Sequence, residues 1–204
     1  MKRTYFCTKE EPLHKQISPK ESLQIEKLEV KGFLDEEDYE LLTEMSGVKG
    51  CLKHLDLSGV TESFPGPDDW RFFFIGNEDL AIYPDSFVNS VRLEEIVFPY
   101  NLKGIGCDSF INCENLVIDE LPETLKSIGE CAFQNCPKLK TVFVSNELDD
   151  NGNGFHFGGQ FSGQEFAGSV ENYDSDHRKW PITKKGEETY RDYRGIEFFV
   201  IDGV

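Results

Sequence analysis

Four cysteines in two close pairs are the residues of this chain best suited to chemistry. Cys107 and Cys113 lie in IGCDSFINCENLVIDEL (105–121), and Cys131 and Cys136 in SIGECAFQNCPKLKTVFV (127–144). Paired thiols can hold zinc or exchange as a disulfide; zinc sites show C-x2-4-C pairs with a second pair or histidines at defined spacing. Here the pairs enclose five and four residues, and no histidine lies between residues 55 and 155. A weaker metal candidate is DDNGNGFHFGGQ (149–160), where Asp149, Asn151 and Asn153 occupy positions 1, 3 and 5 of a calcium loop and Gly154 position 6. Position 12 is Gln160 instead of the bidentate Glu, and the preceding TVFVSNELD reads as a strand, not as an entering helix. A polar, Gly-rich surface loop has the same composition. The four histidines, His14, His54, His156 and His177, form no i, i+4 pair, and HExxH, GxSxG and GxxxxGK[ST] are absent. His54, within LKHLDLS, reads as a solvated strand residue, and DEEDYE (35–40) as a helix start favoured by the helix dipole.

The elements that position the thiols emerge from an internal repeat. IYPDSFVNSVRLEEIVFP from Ile82, IGCDSFINCENLVIDELP from Ile105 and IGECAFQNCPKLKTVFV from Ile128 start 23 residues apart. Phe87, Phe110 and Phe133 keep that period, as do Asn89, Asn112 and Asn135, and Leu93, Leu116 and Leu139. Ser86, Ser109 and Ala132 form a small-residue column, and Pro99/Pro122 and Leu102/Leu125 also match, giving seven columns on one period. Units this small bury their apolar faces only by stacking, which predicts a solenoid with one short parallel strand per repeat. The Asn column is expected to hydrogen-bond turn backbone between repeats. Cys113 and Cys136 share one column with Ser90, a small buried position that suits an unreactive thiol, whereas Cys107 and Cys131 share none. Repeat geometry therefore explains two of the four thiols without a metal.

The chain has 204 residues, with 21 Lys+Arg against 38 Asp+Glu and a formal net charge of −17. Such a charge repels nucleic-acid phosphates and anionic lipid, so neither is an expected partner. Seventeen Phe separate it from a disordered acidic tail. No apolar run reaches membrane-spanning length, which predicts no membrane insertion. Lys2 and Arg3 are followed by no apolar h-region, so the residues present hold no ordinary leader; a cytoplasmic location and a leader lying elsewhere both fit.

The pattern in LEEIVFPYNLKGIGCDSFINCENL and LPETLKSIGECAFQNCPKL resembles the BspA-like leucine-rich repeats of bacterial surface proteins. LEVKGFLDEEDYELLTEMSGVKGCLKHLDLSG (28–59) is similar to that family's N-terminal unit: strand, helix, then the LDLS strand. Asp35 is the expected N-cap with Asp38 three residues on, and Tyr39, Leu41, Leu42 and Met45 the apolar stripe. Leu55 to Ile96 spans 41 residues, 23 plus 18, which places an insertion within 59–81 containing the loop FPGPDDW. WPITKKGEETYRDYRGIEFFVIDG resembles the family's closing element, with Pro181, Gly186, Tyr190 and Phe199 in its places, while residues 146–179 carry the pattern poorly. The resemblance implies an α/β leucine-rich repeat solenoid: an N-terminal segment over 1–27, partly ordered, the solenoid over 28–145, and a loop with a C-terminal cap over 146–204. Asp119 departs from it, falling in the inward column of Ile96 and Val142. A buried lone carboxylate is costly, so either the strand shifts to turn Ile118 inward or a bulge exposes Asp119.

What remains is surface. Alternate strand residues face out, which predicts an outward strip of Lys53, His54 and Asp56, then Glu94, Glu95 and Val97, then Val117 and Glu120, then Lys140, Thr141 and Phe143. Val97 and Phe143 are apolar residues on a charged strip, either hot spots or covered by the long loops. The expected function is a non-enzymatic module binding a protein or glycan partner, without cofactor. The resemblance implies bacterial surface adhesion or host contact. The alternatives are an intracellular scaffold of the same fold and a calcium-dependent protein using residues 149–160.

Overall fold

The computed structural model describes residues 1–63, 80–118, 121, 122, 124, 125, 127–129, 132–139 and 141–145, and strand backbone at 156–157, 168–169, 190–191 and 197–201. Strands β1 (Lys2–Cys7), β2 (Lys27–Leu34), β3 (His54–Ser63) and β5 (Glu95–Val97) form one parallel sheet in the order β1-β2-β3-β5. An isolated bridge from Glu95 to Val117 carries the ladder into the next repeat. A second parallel ladder joins β4 (Ala81–Ile82), β6 (Gly104–Ile105), β7 (Ser127–Ile128) and β9 (His156–Phe157), with β10 (Gly168–Ser169) antiparallel on its edge. In a third sheet β8 (Thr141–Ser145) pairs parallel with β12 (Glu197–Ile201), and β11 (Tyr190–Arg191) lies antiparallel beyond it.

Residues 1–27 contribute β1 and two short helices, α1 (Leu13–Gln16) and α2 (Pro19–Ser22), so the first ladder begins at Lys2. Helix α3 (Glu36–Ser46) starts at Asp35, whose side chain accepts from the Asp38 N–H while the Asp38 carboxylate accepts from the Asp35 N–H. This reciprocal cap satisfies two backbone donors that the first turn leaves without partners. Tyr39, Leu42 and Met45 are buried, and Leu41 packs half-buried against the same core. Leu55 pairs with Ile96 in register across β3 and β5, as the 23-plus-18 spacing requires. The FPGPDDW segment lies outside the described residues.

The repeat columns become physical stacks. Phe87, Phe110 and Phe133 lie nearly parallel, with ring centroids 5.2 and 5.3 Å apart and interplanar angles of 5° and 13°. Offset-stacked rings at this separation add about 0.5–1.5 kcal/mol per pair to the area they bury. Gly106 follows Ile105 because a Cβ there would run into the Pro84 backbone of the preceding repeat. Cys113 and Cys136 are buried, and each thiol donates one repeat back, to the carbonyls of Phe87 (3.2 Å) and Phe110 (3.0 Å). The neighbouring Cys136 thiol, with burial second, holds the Cys113 thiol well above its ordinary range, as an inert spacer requires. Ser90, the first member of the column, instead accepts from Ser46 Oγ of α3 at 2.7 Å.

Two details differ from the sequence reading. The asparagine side chains bond one another, and the turn backbone between repeats is bonded by main-chain N–H groups: Asn112 Nδ2 donates to Asn89 Oδ1 at 2.8 Å and Asn135 Nδ2 to Asn112 Oδ1 at 2.9 Å. All three take left-handed backbone, φ 59°, 60° and 56°, which Asn tolerates better than most residues. In the middle strand Ile118 is buried and Val117 is 45% exposed. The Glu95–Val117 bridge is one residue short of the repeat period, so Ile118 takes the inward place that the column assigns to Asp119. Asp119 itself lies outside the described residues.

The two roles of Asn112 separate by substitution. Asn112→Gly keeps the left-handed turn and loses two ladder bonds, costing about 1–2 kcal/mol. Asn112→Ala adds left-handed strain of about 1–2 kcal/mol to that loss. Urea unfolding is expected to rank wild type above Gly above Ala; Ala equal to Gly would remove the turn constraint.

Candidate functional site

The outward face of the first ladder is built by register. Leu28, Leu55 and Ile96 form one cross-strand row pointing into the core. The rows on either side point outward: Lys2, Lys27, His54 and Glu95, continued by Val117, and Thr4, Glu29, Asp56 and Val97. Alternation along each strand makes this a single surface. A shallow hollow of about 190 Å³ lies in it, walled by Lys2, Lys27, Glu29, His54, Asp56, Glu95 and Val97.

Local pairs organise its charge. His54 Nδ1 lies 2.9 Å from Glu95 Oε2, and Lys53 Nζ 2.7 Å from Glu94 Oε1. Glu29 accepts from Thr4 Oγ1 at 2.9 Å and pairs with Lys31 Nζ at 2.8 Å. Asp56 Oδ1 accepts from the Ser58 N–H at 2.9 Å. The Lys53 hydrogen bond holds the Glu94 carboxyl below its usual range, and that of Lys31 does the same for Glu29. These groups are solvated, so such pairs position side chains more than they stabilise the fold. Val97 and Val117, 42% and 45% exposed, are apolar steps between carboxylates.

Of the residues expected on this face, His54, Asp56, Glu95 and Val97 come together on it, while Glu94 precedes β5 and pairs with Lys53. Glu120 and Lys140 lie outside the described residues. Phe143 is placed by backbone alone, in β8 opposite Phe199 of β12. The calcium-loop candidates Asp149, Asn151 and Asn153 also lie outside the described residues.

Sequence reasoning missed one constellation. His14 Nδ1 lies 2.8 Å from Asp38 Oδ1 and 3.5 Å from Asp35 Oδ1, and His14 Nε2 lies 2.9 Å from Glu37 Oε2. The His14 N–H also donates to Asp38 Oδ1 at 2.8 Å. The ligand atoms of His14, Asp35 and Asp38 could surround a metal ion, since all lie within 4.8 Å of one another. However, both Asp carboxylates already accept cap N–H groups, and the positive end of α3 disfavours a cation there. The cluster reads as a clasp of α1 onto α3. Burial pushes the Asp38 carboxyl up, against the lowering effect of the His14 and Asp35 N–H groups. The cap was legible as D-x-x-D, but the only signal for its partner lay 24 residues away.

Parallel strand ladders with leucine and phenylalanine columns fit a leucine-rich repeat fold. Residues 81–174 match the model of the BspA type leucine rich repeat region in six copies, and the chain therefore carries such a region. The match includes residues 146–174, where the columns are not legible by eye. Comparison with curated proteins returns no match. Repeat regions of this type are typically protein-binding modules, not catalytic ones. Among the described residues no helix is long and apolar enough to cross a membrane.

The Glu94–Lys53 pair gives a pH signature. A depressed carboxyl contributes stability above its unfolded value and loses it as pH falls through its folded value. Because both groups are solvated, the effect on unfolding is expected to be slight. NMR titration should therefore find Glu94 below the ordinary Glu range, and Lys53→Met should return it there with little change in Tm. An unchanged Glu94 titration in Lys53→Met would remove the pair.

Proposed function

We propose that this protein is a non-enzymatic binding module whose partner, a protein, docks on the outward face of the first strand ladder. The observation that carries the reading is the register that sets Val97 and Val117 beside His54, Asp56 and Glu95 on one face. Exposed apolar residues rimmed by charge are the usual anatomy of a contact centre. The face continues, on this reading, through Glu120, Lys140 and Phe143. The net charge of −17 favours a neutral or basic partner through encounter rate.

On the same reading the repeats close into a solenoid of roughly 23 residues per turn. It spans 28–145, is covered at one end by the unit containing α3, and is closed at the other by 146–204 through β11 and β12. Support comes from the columns spaced at 23 residues and from β12 lying parallel to β8.

A photo-crosslinking residue placed at Glu95 in the expressing cell identifies the partner, with Glu10 as the remote control position. For the purified pair, Val97→Asp with Val117→Asp should then weaken binding at least about tenfold, as loss of a contact centre does. Equal affinity at unchanged Tm would move the interface elsewhere.

Bacterial surface adhesion is the finer form of this proposal. The second reading, an intracellular scaffold, is favoured by the free thiols of Cys7, Cys51 and Cys113, since free thiols persist in reducing compartments. Cys51 is exposed and free, so it reports location directly. A membrane-impermeant maleimide should label Cys51 on intact cells if the protein is displayed outside. Labelling only after lysis would place it inside and overturn adhesion.

A further inference from the structure

The first sheet ends at β1, which pairs with β2 alone among the described residues. The Met1 carbonyl accepts from the Lys27 N–H of β2. Strand alternation then turns the main-chain groups of Arg3, Tyr5 and Cys7 toward β2, and those of Lys2, Thr4 and Phe6 away from it. The Phe6 carbonyl agrees, since it accepts from Gln16 Nε2 at 3.1 Å on the outer side. The Lys2 and Thr4 N–H and C=O groups and the Phe6 N–H have no partner among the described residues. Sheet edges are ordinarily blunted by a bulge, a proline or a covering loop. β1 keeps an unbroken register with β2 from Lys2 to Cys7 and holds no proline, and Gln16 covers it only at Phe6 and Cys7.

The side chains of this edge add a second signal. Lys2, Thr4 and Phe6 stand on its outward face, and Phe6 is 68% exposed. Arg3 is taken up by Glu21 at 2.8 Å, whereas Lys2 makes no ion pair among the described residues. Residues 1–34 carry seven Lys or Arg against five Glu, so a carboxylate meets local attraction here although the whole chain stands at −17. We propose that β1 accepts an extended segment of a protein partner as a fifth strand, with a carboxylate opposite Lys2 and an aromatic side chain opposite Phe6. In strand addition the main-chain bonds supply affinity and alternate side chains supply specificity. Opposite-charge and aromatic cross-strand pairs are both favourable. A short segment fills the open N–H and C=O groups in either direction. Val97 lies in β5, three strands from this edge, so its occupancy is independent of docking on the strand face.

The probes are two fluorescein-labelled peptides, titrated with the full chain and read by anisotropy. Gly-Glu-Val-Thr-Val-Tyr-Gly matches Lys2, Thr4 and Phe6 in a parallel strand, and Gly-Tyr-Val-Thr-Val-Glu-Gly matches them in an antiparallel one. One of the two is expected to bind, at least about fivefold tighter than its counterpart with Lys in place of Glu. Thr4→Pro removes an outward N–H and no bond to β2, whereas Thr4→Val keeps that N–H; both lose the hydroxyl bond to Glu29. Thr4→Pro should therefore bind at least about tenfold more weakly than Thr4→Val. Amide hydrogen exchange of the unaltered protein gives a readout that needs no variant. The Thr4 and Phe6 amides should exchange fast in the free chain and at least about tenfold slower with the peptide bound, while Arg3 and Tyr5 are slow in both. No binding of either peptide, equal binding by Thr4→Pro and Thr4→Val, or Thr4 and Phe6 exchange unchanged by a bound peptide would each overturn the inference.

Discussion

The structure depends on one constraint: every repeat must present its backbone groups and its ring to the next repeat at the same height. On the return side the Asn89 N–H donates to the Ile111 carbonyl and the Asn112 N–H to the Gln134 carbonyl, both at 2.8 Å. The Phe stack and the Asn ladder repeat with these bonds, one step per repeat. A buried turn without such partners would leave amides unsatisfied, so a change of period in one column breaks the others with it. This is why small residues, Gly and left-handed Asn recur where they do, and why thiols fill the Ser90 column.

The helical unit joins the repeats by obeying the same geometry with different groups. Thr43 Oγ1 of α3 accepts the Phe87 N–H at 2.9 Å, Ser46 Oγ meets Ser90 Oγ, and the Ser46 carbonyl accepts the Arg92 N–H at 2.9 Å. Phe87 takes a left-handed φ of 56°, an uncommon place for a bulky side chain. Tyr39 packs edge-on against its ring at 6.1 Å, and the Phe110 ring stacks on its other side. The strain sits where a helix and a repeat must share one column, and surrounding contacts over-determine it.

These constraints leave two surfaces free to vary. The outward strand residues make no contribution to the columns, so their identities can answer to a partner. The exposed face of α3 is equally unconstrained beyond the buried stripe of Tyr39, Leu42 and Met45. Function in such a protein resides in what these faces present, because the interior is committed to stacking.

Much of the repeat region was legible because its signals are local and periodic. The Phe, Asn and Leu columns and the burial of Cys113 follow from spacing alone, and the Asp35 cap and the pairing of Leu55 with Ile96 from the resemblance of residues 28–59 to a strand, helix and strand unit. The outward placement of His54, Asp56, Glu95 and Val97 followed from strand alternation. Three features were not legible, each for a physical reason. The Asn side chains could bond backbone or one another with the same residue type, and only the distance between repeats selects the ladder. The middle strand could shift or bulge around Asp119, and the packing of Ile118 decided the shift. His14 meets Asp38 across 24 residues of chain. The sequence by itself determined the period and what each column must contain; the tertiary structure alone decided which distant groups face one another, because that depends on how helix and repeats dock.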